Sequence, residues 1–288
     1  MALINNIFLK TVVLIEEEIS EDKFHTVATG FLIGFRANYD EKLKEQLYDT
    51  FLITNRHVFS NYDKLFFRFD CKDGLPKRFP VTLIDKGKRT WLAHNDTNVD
   101  LAMMTINFQF LNNENVEAFY IEEDRFIYSE NFKEAGISLG DGIFLLGFPV
   151  SISGFNQNYA IVRSGTLARI DEEIISSNKV FLADALVFPG NSGGPVLTKP
   201  TSESVDGTKT ITSTYLIGVV SGYINYQEPL YSHQSIPNNI SGYSVNNSGL
   251  ATIVPMNFAK DIYSEFIKQN KILEEPSPSP EIPPENKK

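Results

Sequence analysis

Short apolar runs alternate with polar turn segments along most of the chain, a pattern typical of β-strands. The runs are rich in β-branched and aromatic residues, and no helical periodicity separates one run from the next. This favours an antiparallel sandwich or barrel over an alternating α/β fold. The predicted strands form a first series at 8–14, 27–35, 51–54, 64–69, 81–84 and 101–106, and a second series at 142–147, 159–170, 180–183, 194–197, 215–221 and 249–253.

The two series have about equal length, which predicts two barrels of similar size. We assign residues 1–115 to a first barrel and residues 138–256 to a second barrel. The stretch between them, 116–137, is polar and acidic and is expected to connect the two. The predicted fold is therefore all-β, with two antiparallel six-stranded barrels and a C-terminal helix.

A helical pattern follows the second series. Phe258, Ile262 and Phe266 recur every four residues, which places them on one face of a helix over residues 257–273. Asn257 is expected to cap its N-terminus. We expect this helix to dock on the barrels and to close the domain.

Composition adds limits to this picture. The chain has 288 residues and is 42% hydrophobic, which suffices for a sizeable core. Its net charge of -10 argues against a nucleic-acid partner, because phosphate binding requires clustered Lys and Arg. The Pro-rich and charged segment 274–288 has little to bury and is expected to be disordered.

The cysteine content and the N-terminus predict a cytoplasmic location. Cys71 is the one cysteine, so an intramolecular disulfide is impossible. Asn5, Asn6 and Lys10 interrupt the first apolar stretch, which favours a strand over a signal peptide. No run is long enough to predict a membrane span. The four histidines show no metal-ligand spacing, so neither a metal nor another cofactor is expected.

The strongest chemical signal is PGNSGGPV, residues 189–196. Glycines around Ser192 permit a tight turn that exposes its hydroxyl and leaves backbone N–H groups free to bind an oxyanion. Gly190 and Ser192 would supply those N–H groups. The alternative is a glycine-rich hairpin loop whose serine is incidental.

A nucleophilic serine needs a base and an orienting carboxylate. In FLITNRHVF, His57 follows the end of an apolar strand, and in NVDLAMMTI, Asp100 opens one. Taken singly, the histidine could be a structural residue and the carboxylate a strand-edge or turn residue. Together, in the order His57, Asp100, Ser192 and in opposite halves of the chain, they predict a catalytic triad.

These motifs resemble the trypsin-like, chymotrypsin-fold serine proteases, and in particular the disulfide-free bacterial branch that includes the HtrA/Deg proteases. The matching segments, in family order, are ATGFLIGF, ITNRHVF, VDLAMM, LLGFPV, ADALVFPGNSGGPV, LIGVVSG and LATIVPMN. The resemblance implies that His57 is the general base, that Asp100 orients it, and that Ser192 attacks the substrate. It also implies a site in the cleft between two barrels. HtrA members usually carry PDZ domains, and we expect none here.

The same resemblance implies the substrate-binding residues. Leu186, Val187 and Phe188 would help to form the primary specificity pocket, and its apolar character predicts an apolar residue at the cleavage site. The pocket lies beside the polar stretch 225–247, for which the sequence predicts no conformation. Along the neighbouring strand the expected contacts are Val220, Ser221, Gly222 and Tyr223, with Val220 to Gly222 pairing with an extended substrate and Ser221 supporting Asp100.

Asn191 is the main departure from the family pattern. Digestive members carry Asp before the nucleophile, where it pairs with a new N-terminus after cleavage of the zymogen. Asn191 cannot form that ion pair, so activation by N-terminal clipping is not expected.

The predicted function is hydrolysis of protein or peptide substrates through an acyl-enzyme on Ser192. Two alternatives stay open: a protease-like binding module whose triad is unused, and a latent protease that a protein partner activates. Neither a nucleic acid nor a membrane is an expected partner.

Overall fold

The computed structural model describes residues 4–42, 44–202, 209–231 and 240–274. Over these residues the protein consists mostly of β-strands, which form one curled sheet and one closed barrel. No helix within the described ranges combines the length and the apolar composition that a membrane crossing requires. The segment 274–288, which the sequence predicts to be disordered, lies outside the described residues except for Glu274. Glu274 is the last residue of a helix.

The first half of the chain forms an eight-stranded sheet and a two-stranded hairpin. The strands are β1 Val12–Ser20, β2 Lys23–Asp40, β3 Glu45–Thr54, β4 Lys64–Phe69, β5 Lys77–Thr82, β6 Ile84–Asp85, β7 Lys88–Arg89, β8 Leu92–Ala93, β9 Ala102–Thr105 and β10 Ile121–Glu122. The sheet order is β5-β4-β1-β2-β3-β9-β8, and β10 joins β2 in parallel. The hairpin pairs β6 with β7.

The second half forms a closed six-stranded barrel. Its strands are β11 Gly142–Gly147, β12 Ile161–Arg169, β13 Phe181–Asp184, β14 Pro195–Thr198, β15 Leu216–Tyr231 and β16 Ile240–Pro255. They close in the order β11-β12-β13-β16-β15-β14. The described residues also form six α-helices: α1 Asn6–Leu9, α2 Arg56–Ser60, α3 Phe108–Asn113, α4 Phe132–Ala135, α5 Glu172–Asn178 and α6 Asn257–Glu274. Three short 3₁₀ turns lie at Glu123–Arg125, Ser129–Asn131 and Pro149–Ser151.

The continuous apolar runs of the first sheet have a packing reason. Along β1, Val12 and Leu14 point into a core shared with the second barrel, whereas Val13 and Ile15 point into the core of the first sheet. Because alternate side chains of a strand face opposite sides, a strand covered on both faces is apolar at every position. These central strands therefore join the two halves of the molecule.

The prediction of two closed barrels is confirmed for the second half alone. The first sheet curls into a half-barrel, and its edge strands β5 and β8 are not paired with each other in the sheet order. The chain leaves β5 directly into the β6–β7 hairpin, whose residues pair with one another. Thr90 closes this segment locally, since its Oγ1 donates to the Thr82 carbonyl oxygen at 2.7 Å.

The predicted first strand, 8–14, begins four residues too early. The segment Asn6–Leu9 is a helical turn, and the Asn5 side chain caps it by accepting a hydrogen bond from the Ile7 N–H. An Asn cap of this kind accepts from a backbone N–H group of the first helical turn, which has no partner within the helix. The strand β1 then starts at Val12.

A two-stranded ribbon extends beyond the barrel from β15 and β16. Pairing continues from Tyr223 opposite Ala251 as far as Tyr231 opposite Ile240. The strand β15 pairs with β14 only up to Val219. Beyond the barrel, β15 therefore has β16 on one side and no described strand on the other. The stretch 225–247, for which the sequence predicted no conformation, supplies most of this ribbon.

The C-terminal helix α6 lies where the pattern predicts it. Ile262 is buried in the core shared by the two halves. The ring of Tyr263 stacks on Phe35, with the ring centres 4.3 Å apart, and its hydroxyl donates to Asp49 Oδ2 at 2.8 Å. The predicted capping role of Asn257 is wrong, because this residue is already within the helix and its Oδ1 accepts from the Ser129 N–H at 2.7 Å.

Replacing Ile262 with alanine tests the docking of α6. We expect Ile262→Ala to lower the free energy of unfolding by about 2–4 kcal/mol, since it leaves a cavity in a shared core. The exposed Gln269→Ala on the same helix should change it by less than about 0.5 kcal/mol. Urea unfolding of both variants measures the difference, and equal effects would contradict the burial of this helix face.

Candidate active site

The strand β3 and the helix that follows it place His57. β3 ends at Thr54, Asn55 precedes the single helical turn α2, and His57 is its second residue. Asn55 is fully buried, and its Nδ2 donates to the Asp100 backbone oxygen at 2.9 Å. This contact joins the segment that carries the imidazole to the segment that carries the carboxylate.

Both oxygens of the Asp100 carboxylate contact His57. Oδ2 lies 2.8 Å from Nδ1 of the ring, and Oδ1 accepts from the His57 backbone N–H at 3.0 Å. A carboxylate held in this way fixes the ring orientation and favours the tautomer whose proton is on Nδ1. The other ring nitrogen, Nε2, has no hydrogen-bond partner among the described residues.

Ser221 adds a third hydrogen bond to the same carboxylate. Its Oγ donates to Asp100 Oδ2 at 2.7 Å, the contact that the family resemblance implies. Burial alone would raise the pKa of Asp100, but the hydrogen bonds and charge of His57, together with the Ser221 bond, outweigh burial and lower this pKa below its usual value. Asp100 is therefore an anion at neutral pH, suited to stabilise a positive imidazole.

The serine lies in a turn of defined type. The Asn191 N–H donates to the Phe188 carbonyl oxygen at 2.9 Å, Pro189 is the second residue of this turn, and Gly190 has φ +98°. Proline followed by a residue of positive φ defines a type II turn. A side chain at Gly190 would place its Cβ only 2.2 Å from the Phe148 carbonyl oxygen, so the position requires glycine.

Two backbone N–H groups of this turn are free. Those of Gly190 and Ser192 have no acceptor among the described residues, whereas the N–H groups of Asn191, Gly193 and Gly194 all donate to backbone oxygens. A pair of free N–H groups beside a hydroxyl can bind an anionic oxygen. Both residues were predicted for this role from the sequence.

Ser192 and His57 line the same cleft, of 260 Å³. The Ser192 hydroxyl donates to the Ser221 carbonyl oxygen at 3.2 Å and makes no hydrogen bond to His57. The described conformation thus combines a formed Asp100–His57 pair with a serine hydroxyl that is turned to the neighbouring strand.

Most of the predicted substrate-binding residues face this cleft. Its lining includes Val187, Phe188, Val220, Gly222 and Tyr223. Leu186 and Ser221 do not belong to the lining. Leu186 is exposed, and Ser221 lies behind the cleft wall, where its side chain contacts Asp100.

The placement of Leu186 follows from its neighbour. Val187 is only 1% exposed and packs into the core of the second barrel, so the adjacent side chain points the other way. An unpredicted residue lies near the cleft instead. Arg163 places its guanidinium over the ring of Phe188, 5.3 Å from the ring centre.

Thr29, on β2, is a positioning residue that the sequence analysis missed. Its Oγ1 donates to the Gly190 carbonyl oxygen at 2.6 Å and accepts from the Phe148 N–H at 3.1 Å. Its backbone N–H donates to the Ser192 carbonyl oxygen at 2.9 Å. A hydroxyl in the apolar run that follows Val27 is the signal that could have identified it.

These bonds attach the serine turn of the second barrel to the first sheet. Thr29 is completely buried, so every one of these bonds is shielded from water. The distance between the serine turn and the imidazole therefore depends on the docking of the two halves.

A closed barrel docked on a curled sheet, with an Asp–His pair and a serine turn in the cleft between them, defines a peptidase of the trypsin-like class. The comparison with protein families agrees. The family described as trypsin-like peptidase domain matches residues 28–205, more than half of the chain, and the protein belongs to this family. Among curated proteins, no match was found.

Replacing Thr29 tests its role at the junction. Thr29→Val keeps the shape but leaves the Phe148 N–H and the Gly190 carbonyl oxygen buried without a partner. We expect it to lower the free energy of unfolding by about 2–4 kcal/mol. Thr29→Ser keeps the hydroxyl and should cost clearly less. If urea denaturation shows the same loss for both, the hydroxyl bonds do not hold the junction.

The lowered pKa of Asp100 predicts a pH dependence of stability. Because the pKa is lower in the folded than in the unfolded chain, Asp100 stabilises the protein above about pH 4, and this contribution is lost as the pH falls through the folded-state pKa. Between pH 6 and pH 3, wild type should therefore lose more unfolding free energy than Asp100→Asn. The exposed Asp85→Asn should behave like wild type, and parallel curves for all three proteins would contradict the prediction.

Proposed function

We propose that the protein is a serine endopeptidase. The Ser192 hydroxyl attacks the carbonyl carbon of a peptide bond while His57 Nε2 takes its proton. His57 then returns the proton to the departing amine, which leaves an acyl-enzyme on Ser192. Water, activated by the same imidazole, hydrolyses the ester and releases the acid. Asp100 stays ionised and stabilises the imidazolium in each step.

The observation that carries this proposal is the double contact of Asp100 with His57. It holds the imidazole by its Nδ1 side and leaves Nε2 without a protein partner, in a cleft that Ser192 also lines. A general base needs a free, oriented lone pair within reach of the proton that it takes. Rotation of the Ser192 side chain away from the Ser221 carbonyl oxygen would free the hydroxyl for a new bond within the cleft that Ser192 and His57 both line.

The free N–H groups of Gly190 and Ser192 support the second half of the mechanism. They would donate to the oxygen of the tetrahedral intermediate, which becomes negative as Ser192 attacks. Removal of one such donor in enzymes of this kind slows turnover by about 10²–10³-fold. Because the turn is already formed, little reorganisation accompanies the reaction.

For the substrate, we propose an extended polypeptide with an apolar residue at the cleavage site. Phe188 and Tyr223 present partly exposed rings beside Ser192, and no Asp, Glu, Lys or Arg of the described residues belongs to the cleft lining. The backbone from Val220 to Gly222 would pair with the substrate as an added strand. We also propose that the HtrA/Deg branch is the related group within the family.

One observation favours a second candidate, a protease that is latent until a substrate or protein partner binds. The Ser192 hydroxyl donates to the Ser221 carbonyl oxygen rather than to His57. A ligand whose N–H takes that carbonyl oxygen would release the hydroxyl. This candidate differs from the first only in its resting state.

A fluorophosphonate probe tests the proposed chemistry, because it phosphonylates only an activated serine. Wild type should be labelled, and Ser192→Ala should not. With peptide substrates, Ser192→Ala should lose roughly 10⁶-fold in turnover. The exposed Ser138→Ala serves as the control and should retain full labelling.

Cleavage of a peptide library by wild type and Ser192→Ala in parallel would give the specificity. A latent enzyme would label only when a peptide or partner is added. Folded wild type that never labels under either condition would contradict the proposal and favour a binding module.

A further inference from the structure

Arg68 is the only arginine among the buried polar residues in the described part of the chain, and the proposed mechanism does not use it. It lies on β4 in the first sheet and is 3% exposed. Its Nη2 donates to two consecutive carbonyl oxygens of the second half, those of Gly154 and Phe155, each at 2.9 Å. Burial lowers the pKa of this guanidinium, which reflects the cost of removing it from water.

The loop that Arg68 holds is the connection between β11 and β12, residues 148–160, here called the β11–β12 loop. Arg68 and Asp70, the residue that follows β4, hold the loop by two more bonds. Asn158 Nδ2 donates to the Arg68 carbonyl oxygen at 2.9 Å, and the Asn158 N–H donates to Asp70 Oδ1 at 2.7 Å. The loop is therefore anchored to the opposite half of the molecule.

The start of this loop is held in an unfavourable backbone conformation. Val150 has φ +48° and Ser151 has φ +60°. The left-handed region disfavours β-branched residues in particular, and such a residue persists only where its surroundings enforce it. The hydrogen bonds of the loop to Arg68 and Asp70 can enforce this conformation.

Val150 acts directly on the serine turn. Its N–H donates to the Pro189 carbonyl oxygen at 2.9 Å. Pro189 and Gly190 are the two central residues of the type II turn, and the peptide group between them distinguishes type II from type I. A flip to type I would turn the Gly190 N–H out of the oxyanion position and bring in the Pro189 carbonyl oxygen.

We propose that Arg68 is a positioning residue for the oxyanion site: by anchoring the β11–β12 loop, it keeps the Val150 N–H on the Pro189 carbonyl and so holds the Gly190 N–H toward the cleft. The proposal rests on the proposed function, since it assigns a partner to the same site. Arg68 itself contacts neither the cleft nor the catalytic residues.

The test compares Arg68→Met with wild type in kinetics and in hydrogen exchange. We expect kcat and the fluorophosphonate labelling rate to fall about tenfold or more, while KM for a short substrate changes less than about twofold, because the cleft walls are untouched. Arg68→Lys, which can donate to one of the two carbonyl oxygens, should recover part of the loss.

Arg78→Met is the matched control. Arg78 lies opposite Arg68 on β5 and forms a 2.6 Å ion pair with the buried Glu16, without a contact to the β11–β12 loop. This variant should lower stability without changing kcat. Equal losses of kcat in the two variants, each measured well below its melting temperature, would show a general effect and overturn the proposal.

A suppressor variant separates positioning from folding. Glycine adopts φ +48° at little cost, so Val150→Gly in the Arg68→Met background should restore part of the labelling rate. Unchanged labelling in Arg68→Met would overturn the proposal, and so would a loss that Val150→Gly does not restore in any part.

Hydrogen exchange gives a readout that does not depend on activity. The Val150 amide should be protected in wild type and should exchange faster in Arg68→Met, but not in Arg78→Met. Unchanged protection would overturn the inference even if wild type proved unreactive toward the probe. A reactive wild type with unchanged protection would leave the proposed function standing and remove only the role of Arg68.

Discussion

The active-site cleft depends on the docking of two halves whose described strands share no sheet, and the hydrogen bonds of Thr29 help to fix that docking. The imidazole and its carboxylate belong to the curled sheet, whereas the serine turn belongs to the closed barrel. Thr29 bonds the turn at the Gly190 and Ser192 carbonyl oxygens, one on each side of Asn191. Because these bonds are buried, losing one leaves a polar group without any hydrogen-bond partner. A shift of one half of the molecule against the other is therefore costly.

The polar groups of the cleft form a chain that leads back into the scaffold. Asp100 receives bonds from His57 and Ser221, and Ser221 is on the strand that also receives the Ser192 hydroxyl. The Asp100 backbone oxygen is held in turn by the buried Asn55. Each reacting group thus has a partner that limits its movement, which is how a scaffold prepares a site before substrate arrives.

How far the sequence predicts this structure depends on how far apart in the chain the interacting residues are. Ser192, His57 and Asp100 are recognisable because each lies in a local motif, at a turn or a strand end. The barrel of the second half and the helix α6 follow from periodicity within the chain. The curled first sheet does not follow from periodicity, since its open edges depend on how the short β6–β7 hairpin diverts the chain after β5.

Interactions between distant segments explain the residues that were missed. Thr29 and Arg68 resemble ordinary strand residues in sequence, and their roles arise from partners more than 80 positions away. The exposure of Leu186 was missed for a related reason. Val187 is buried in the barrel core, and the side chain of the adjacent Leu186 therefore points to solvent. Local patterns thus identify the reacting groups, while the groups that align them need the assembled fold.

The ribbon of β15 and β16 has a consequence for behaviour at high concentration. One side of β15 offers backbone donors and acceptors that no described strand occupies, and Tyr226 and Tyr231 are exposed on this ribbon. Such an edge is a template on which another copy of the chain can add a strand and begin to aggregate. Glu228 and Pro229 interrupt it with a charge and with a residue that lacks an N–H, two features by which natural proteins discourage self-association.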